Sequence, residues 1–245
     1  STKIYGIASG KGGVGKSTLT AMLAVLSQKS QKSVGLLDAD LYGPSIKKML
    51  PEERLVKQSD NMIEPALSKG IKTLSLGHFR QESQASIVRA PIANGMVQQF
   101  IHQVAWGELD ELFVDFPPGT GDIQLTLSQQ LTFSGIILIT TPQEIALLDV
   151  VKAYDMFRQL NIPIVGLVEN MSYFENGNEK TFIFGEGRGR EVARQWGIPF
   201  LGQIPLDSAI ASSCDKGCFF EGEMTKGQEA VCSIYDNFVA QCSLR

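Results

Sequence analysis

Residues 10–17 read Gly-Lys-Gly-Gly-Val-Gly-Lys-Ser, and few stretches this short restrict a fold so tightly. Gly10, four intervening residues, then Gly15, Lys16 and Ser17 is the spacing of a phosphate-binding loop. In such a loop backbone N–H groups face the phosphates, the lysine reaches the β and γ oxygens, and the hydroxyl ligates Mg²⁺. The flanks agree. Ile4-Tyr-Gly-Ile-Ala8 is a short apolar run suited to a buried strand, and Leu19, Leu23 and Leu26 recur at helical spacing between Ser17 and Lys29. Strand, glycine loop and helix in that order aim a helix N-terminus at an anion. A nucleoside triphosphate is the expected ligand, held by Gly10, Lys11, Gly12, Gly13, Val14, Gly15, Lys16, Ser17 and Thr18, with Ser17 on the Mg²⁺.

The rest of the chain has the pattern of a doubly wound α/β domain, a mostly parallel sheet with helices on both faces. Apolar β-branched runs predict strands over Lys3–Ala8, Ser33–Leu37, Ile71–Leu76, Glu111–Asp115, Gly135–Thr140, Ile164–Glu169 and Pro199–Gln203. Helices are expected over Lys16–Ser30, Ser45–Leu50, Ile92–Val104, Asp122–Leu131, Gln143–Leu160, Arg188–Trp196 and Glu223–Gln241. Pro44, Pro91, Pro142 and Pro163 fall at the boundaries between them, and no linker or repeat interrupts the pattern, so residues 1–245 read as one P-loop ATPase domain.

Composition narrows the class of ligand. The 245 residues are 43% hydrophobic and 20% charged, with a net charge of −4, which argues against the basic footprint of a nucleic-acid binder. No apolar run approaches the roughly 20 residues of a membrane helix, and no secretory leader is visible, so a cytoplasmic protein with reduced thiols is expected. Cys214, Cys218, Cys232 and Cys242 all lie in the last 32 residues. Cys214 and Cys218 are separated by Asp-Lys-Gly, a turn-like sequence whose length is compatible with a metal-ligand pair. His78 and His102 stand isolated and read as ordinary surface or core residues.

Two strand ends carry acids. Val34-Gly-Leu-Leu-Asp38-Ala-Asp40 is a buried strand running into paired carboxylates. One can support the Mg²⁺ shell (Asp38) while the other orients the attacking water (Asp40), a sufficient division of labour because phosphoryl transfer is mostly positioning and charge stabilisation. Leu112-Phe-Val-Asp115 matches the Walker B element, whose carboxylate holds the metal. It continues into Phe116-Pro-Pro-Gly-Thr-Gly-Asp122, two prolines and two glycines, a loop stiff at its root and able to approach a γ-phosphate closely. For the base, Asn170 could offer its amide and Pro205-Leu206-Asp207 could wall the ring. A capping Asn and an Asp N-cap explain these residues as well.

Lys11 is one cation more than the loop needs. It lies between Gly10 and Gly12, and the chain's own nucleotide already has Lys16. A second nucleotide across a dimer interface would satisfy it. Residues 11–18 resemble the deviant P-loop of the ParA/MinD/nitrogenase-iron-protein class, in which the early lysine contacts ATP on the partner subunit. That resemblance implies a nucleotide-sandwich homodimer. Lys11, Lys16 and Asp40 are the expected catalytic set.

Five further stretches sharpen it. Asp38-Ala-Asp-Leu-Tyr-Gly-Pro-Ser45, Asp115-Phe-Pro-Pro-Gly-Thr-Gly-Asp122, Val168-Glu-Asn-Met-Ser-Tyr-Phe174, Ile183-Phe-Gly185 and Ile204-Pro-Leu-Asp207 resemble the Mrp/ApbC-type ATPases. The resemblance implies an ATP-dependent homodimer that carries a [4Fe–4S] cluster to apo iron–sulfur proteins. It also strengthens Asn170 and Asp207 as nucleotide contacts. The chain departs from the family where Cys-x-x-Cys usually follows Asn-Met-Ser. Phe174-Glu-Asn-Gly177-Asn-Glu-Lys180 stands there instead, and Asn-Gly between extended segments signals a β-hairpin. No side chain in it replaces thiolate toward iron.

Three functions follow. One is a cluster carrier, with Cys214 and Cys218 as candidate thiolates. The second is a dimer switch without a cluster, acting as regulator or scaffold. The third, a MinD-like membrane ATPase, would need a basic amphipathic helix. Val231, Ile234, Tyr235, Phe238 and Val239 do share a face, but Glu223, Glu229 and Asp236 surround a lone Lys226, so that helix is expected to pack on the core.

Overall fold

The computed structural model describes residues 1–40, 45–59, 62–76, 95, 97, 98, 101–177 and 179–244. The elements are β1 (Lys3–Ser9), α1 (Lys16–Lys29), β2 (Val34–Asp38), α2 (Ile46–Met49), β3 (Lys57–Ser59), β4 (Met62–Glu64), β5 (Ala66–Ser68), β6 (Ile71–Ser75) and β7 (Glu111–Asp115). They continue as α3 (Asp122–Gln130), β8 (Gly135–Thr140), α4 (Glu144–Gln159), β9 (Ile164–Glu169), β10 (Phe174–Asn176), β11 (Glu179–Thr181), α5 (Gly189–Trp196), β12 (Phe200–Gln203), α6 (Ser208–Lys216) and α7 (Lys226–Ser243).

Eight strands form one sheet in the order β12-β9-β8-β1-β7-β2-β6-β5, parallel throughout except that β5 runs against β6. All seven expected strands are in it. The interior strands are apolar on both faces because helices cover both. Tyr5, Ile7, Leu36, Phe113, Ile137, Ile139 and Val168 face one layer, with α1 and α7. The alternate residues Ala8, Leu37, Val114, Ile136, Leu138 and Leu167 face the other, with α3, α4 and α5.

Three differences from the sequence expectation have physical causes. Strands β3, β4 and β5 were not expected, being three residues each, too short to display a period. Helix α6 was also not expected; its apolar content is thin, and Ser213 is its only buried residue. It is instead fixed at its ends, by Asp207 as N-cap and by Gly217 in the left-handed conformation. The C-terminal helix begins later than expected, at a capping box between Thr225 and Gln228. The expected hairpin forms, with β10 and β11 pairing Asn176 with Glu179. Of the helix expected over Ile92–Val104, positions 92–94, 96, 99 and 100 lie outside the described residues, as do Pro44, His78 and Pro91; positions 95, 97, 98 and 101–103 are helical.

Helix α7 packs as its composition suggests. Val231, Ile234, Tyr235 and Phe238 are buried, and the Phe238 ring meets Tyr5 of β1 edge-on at 4.8 Å. Phe238→Ala should therefore destabilise the chain by about 3–5 kcal/mol. Urea unfolding followed by circular dichroism measures this, and a loss under about 1 kcal/mol would show that α7 is not integral to the core.

Candidate functional site

The carboxyl ends of β1, β2, β7, β8 and β9 place the candidate residues around one cavity of about 260 Å³, lined by Ser9, Lys11, Gly12, Gly13, Gly15, Lys16, Ser17, Thr18, Asp40, Ser45 and Pro118. Gly13 and Gly15 have φ of +78° and +89°, so the loop takes turns that disfavour side chains. Gly10 is needed for another reason: a Cβ there would lie 2.1 Å from the backbone carbon of Asp149 in α4. Val14 is buried, and its carbonyl accepts a hydrogen bond from Asn170 Nδ2 at 2.9 Å.

Lys16 and Ser17 converge on Asp115. Lys16 Nζ lies 2.6 Å from Asp115 Oδ1, Ser17 Oγ donates to Oδ2 at 2.5 Å, and Thr20 Oγ1 donates to Oδ1 at 3.2 Å. Asp115 is fully buried at the end of β7, in direct register with Asp38 at the end of β2. Asp38 is also fully buried; it accepts from the backbone N–H of Asp40 at 3.1 Å and of Ile46 at 3.4 Å, and from Ser75 Oγ at 3.3 Å. Burial, then the neighbouring Asp115 charge, push the Asp38 carboxyl up to about 7. Burial likewise raises Asp115, against the opposing pull of Lys16. A hydroxyl beside two carboxyl groups is a hard oxygen donor set, which fits Mg²⁺.

The loop after β7 closes the cavity. Phe116 N donates to Ile7 O and Gly119 N to Ser9 O, both at 3.0 Å, tying both ends of Phe116-Pro-Pro-Gly119 to β1. Gln124 Nε2 donates to the carbonyls of Pro117 at 3.0 Å and Pro118 at 2.6 Å. Sequence reasoning missed Gln124, although Gln at the third position of a helix is the signal of a residue reaching back over its start. It also missed Gln143, whose Oε1 accepts from Lys11 Nζ at 3.0 Å. Nothing in the spacing pairs these two residues, which are brought together by the close approach of α4 to Gly10.

The remaining expected residues are placed less uniformly. Pro205 and Leu206 precede α6, with Leu206 N donating to Tyr173 O at 2.8 Å. Asp207 is a structural cap: Oδ1 accepts from Ala209 N at 2.8 Å, and Oδ2 accepts from Gly227 N at 3.1 Å and from the Thr225 hydroxyl. Its carboxyl group joins α6 to the start of α7, the capping role that the sequence also allowed. Cys214 lies on α6 with its thiol 3.6 Å from Thr18 Oγ1, and Cys218 follows the helix; both are half-buried. Burial pushes the Cys214 thiol up, away from thiolate. Among the described residues no group of three or more His, Cys, Asp or Glu side chains could hold a metal ion.

A left-handed glycine loop between β1 and α1, a lysine and a serine on a buried aspartate, and a second acid in register define a P-loop nucleotide-binding α/β protein. Comparison with known proteins refines the class. The profile of the NUBPL iron-transfer P-loop NTPase, of the ParA group, matches residues 1–241. An iron–sulfur cluster carrier protein of Aquifex aeolicus is 44% identical over 87% of this chain and 60% of its own length. The mouse iron–sulfur cluster transfer protein NUBPL is 43% identical over 86% of this chain and 68% of its own. A nucleotide-binding protein of Archaeoglobus fulgidus, solved with ADP, superposes with a TM-score of 0.78 at 42% identity, covering 91% of this chain and 89% of that one. The septum site-determining protein MinD of Pyrococcus horikoshii shares the fold, with a TM-score of 0.72 at 20% identity, over 96% and 95% of the two chains. The chain belongs to the NUBPL iron-transfer P-loop NTPase family. It spans 60–63% of the length of the carrier proteins of Aquifex, Synechocystis and Deinococcus.

The acid pair gives a pH signature. Between about pH 4 and pH 7 the folded chain retains a proton on Asp38 that the unfolded chain has released, so this contribution to stability falls as pH rises through 7. The fall should be about 2 kcal/mol between pH 5.5 and 8 in Mg²⁺-free buffer. Asp38→Asn should flatten it in urea titrations at the two pH values; an unchanged slope would place the titration elsewhere.

Proposed function

We propose that the chain is a Mg²⁺-dependent ATPase that carries an iron–sulfur cluster to apoproteins, working as a homodimer through a single domain spanning residues 1–245. The convergence of Lys16 and Ser17 on Asp115 beneath the glycine loop supports the nucleotide half of this reading. Residues 10–18 would cradle the triphosphate, with Lys16 on its β and γ oxygens. Ser17, Asp115 and Asp38 would hold Mg²⁺, which neutralises phosphate charge in phosphoryl transfer. Asp40, lining the cavity with its N–H fixed by Asp38, would orient the attacking water. Asn170, Pro205 and Asp207 would meet the base. Lys11, held by Gln143 at the cavity rim, would turn to the partner's nucleotide. Among the described residues no helix is long and apolar enough to cross a membrane.

Cargo carriage is supported by similarity to proteins named iron–sulfur cluster carriers. Cys214 and Cys218 are the candidate thiolates, and two per chain would need a second chain to complete four. One observation favours the second reading, a nucleotide switch without a cluster: β10 and β11 occupy the segment after Asn170-Met-Ser172 with no thiol.

Anaerobic reconstitution with iron and sulfide separates the two. The carrier reading expects cluster absorbance that a Cys214→Ser/Cys218→Ser double variant loses; no absorbance in the unaltered chain would favour the switch. Lys16→Ala should abolish ATP binding in a fluorescent-nucleotide titration. Lys11→Ala should keep binding but lose nucleotide-dependent dimerisation and slow hydrolysis by about 10³-fold, the lower end for a charge supplied in trans. Unchanged turnover in Lys11→Ala would remove that residue from the chemistry.

A further inference from the structure

Glu169 is fully buried at the end of β9, and its hydrogen-bond partners among the described residues are all uncharged. Its Oε1 accepts from Ser172 Oγ at 2.9 Å and Gln203 Nε2 at 3.0 Å, and its Oε2 accepts from the backbone N–H of Gly189 at 2.8 Å. Ser172 leads into β10, and Gly189 begins α5 just after the segment that follows β11. One carboxyl group thus holds the chain on both sides of the hairpin. The fit is close: a Cβ on Gly187 would lie 1.9 Å from Oε1.

The next residue faces the other way. Asn170 Nδ2 donates to Val14 O inside the phosphate loop at 2.9 Å, and a Cβ on Gly15 would fall 2.2 Å from the same nitrogen. Met171 follows with φ +55°, a left-handed conformation that a non-glycine residue keeps only where its surroundings hold it. Those surroundings are Asn170 N on Thr140 O at 2.8 Å, Ser172 N on Ile204 O at 3.0 Å and Ile204 N on Glu169 O at 2.9 Å. Beyond the bracket, the hairpin and the residues after it expose Phe174, Phe182, Ile183 and Phe184.

We propose that Glu169 and Asn170 form a rigid bracket linking the phosphate loop to the hairpin, with Glu169 as the positioning residue, so that nucleotide at the loop sets how the hairpin and the apolar residues after it are presented. This rests on the nucleotide reading above. A shift of the loop at Val14 moves Asn170, and the covalently adjacent Glu169 carries the shift to Ser172 and Gly189 together. A Gln at position 169 would turn an amide N–H toward donors and break one side of the bracket. The phosphate-loop residues would be untouched.

The test pairs nucleotide affinity with amide hydrogen exchange across β10 and β11, using a non-hydrolysable ATP analogue with Mg²⁺. In the unaltered chain the analogue should change exchange in these strands by at least about threefold. Glu169→Gln should bind the analogue with affinity within about threefold of the unaltered chain and show the same exchange with and without it. Gly187→Ala, which displaces the carboxyl group and leaves its chemistry intact, should behave likewise and guards against a folding defect in the first variant. Binding without a hairpin response in the unaltered chain, or an intact response in both variants, overturns the coupling alone. Absence of binding in the unaltered chain overturns the nucleotide reading and the coupling with it.

Discussion

Two fully buried carboxyl groups, Asp38 and Asp115, stand side by side at the ends of neighbouring strands with one lysine to answer them. That arrangement is costly by itself, because burial and mutual repulsion both disfavour charge. The parallel sheet imposes it: β2 and β7 are in register, and their last residues fall together at the edge where the glycine loop turns. Lys16 from the first turn of α1 is drawn onto Asp115, which fixes the entry of that helix. The site is therefore a concentration of charge that a divalent cation and a triphosphate complement from opposite signs.

The same constraint organises what surrounds it. Asp38 holds the backbone of Asp40 and the start of α2, so the acid proposed to orient the water and the acid proposed to support the metal are mechanically joined. On the other side, the loop after Asp115 is tied to β1 through Phe116 and Gly119. Asn170 reaches the loop from β9. Four strand ends thus meet the phosphate loop. Their position at the carboxyl edge is where ligands bind in doubly wound sheets.

Much of this was legible in the sequence because short-range pattern sufficed. The glycine spacing, the apolar strands ending in Asp38 and Asp115, and the Pro-Pro-Gly loop each carry their meaning within a few residues. What was not legible depends on long-range approach. Lys11 finds Gln143 only because Gly10 lets α4 come within contact of the loop. Glu169 read as the end of an apolar strand, and its partners Gly189 and Gln203 are set by tertiary packing. Asp207 read as an N-cap or a ligand contact; it caps α6, and its further donors Thr225 and Gly227 are distant in sequence. The hairpin was foreseen from Asn-Gly, and β10 pairs with β11 around it.

Function at this edge requires that the loop at residues 10–18 hold a triphosphate whose metal is shared with Asp115. Calorimetric titration of the chain with ATP, with and without Mg²⁺, tests it most directly. One saturable site per chain is expected, tightened at least about tenfold by Mg²⁺, an effect of about 1.4 kcal/mol. No saturable heat, or an affinity indifferent to the metal, would contradict it.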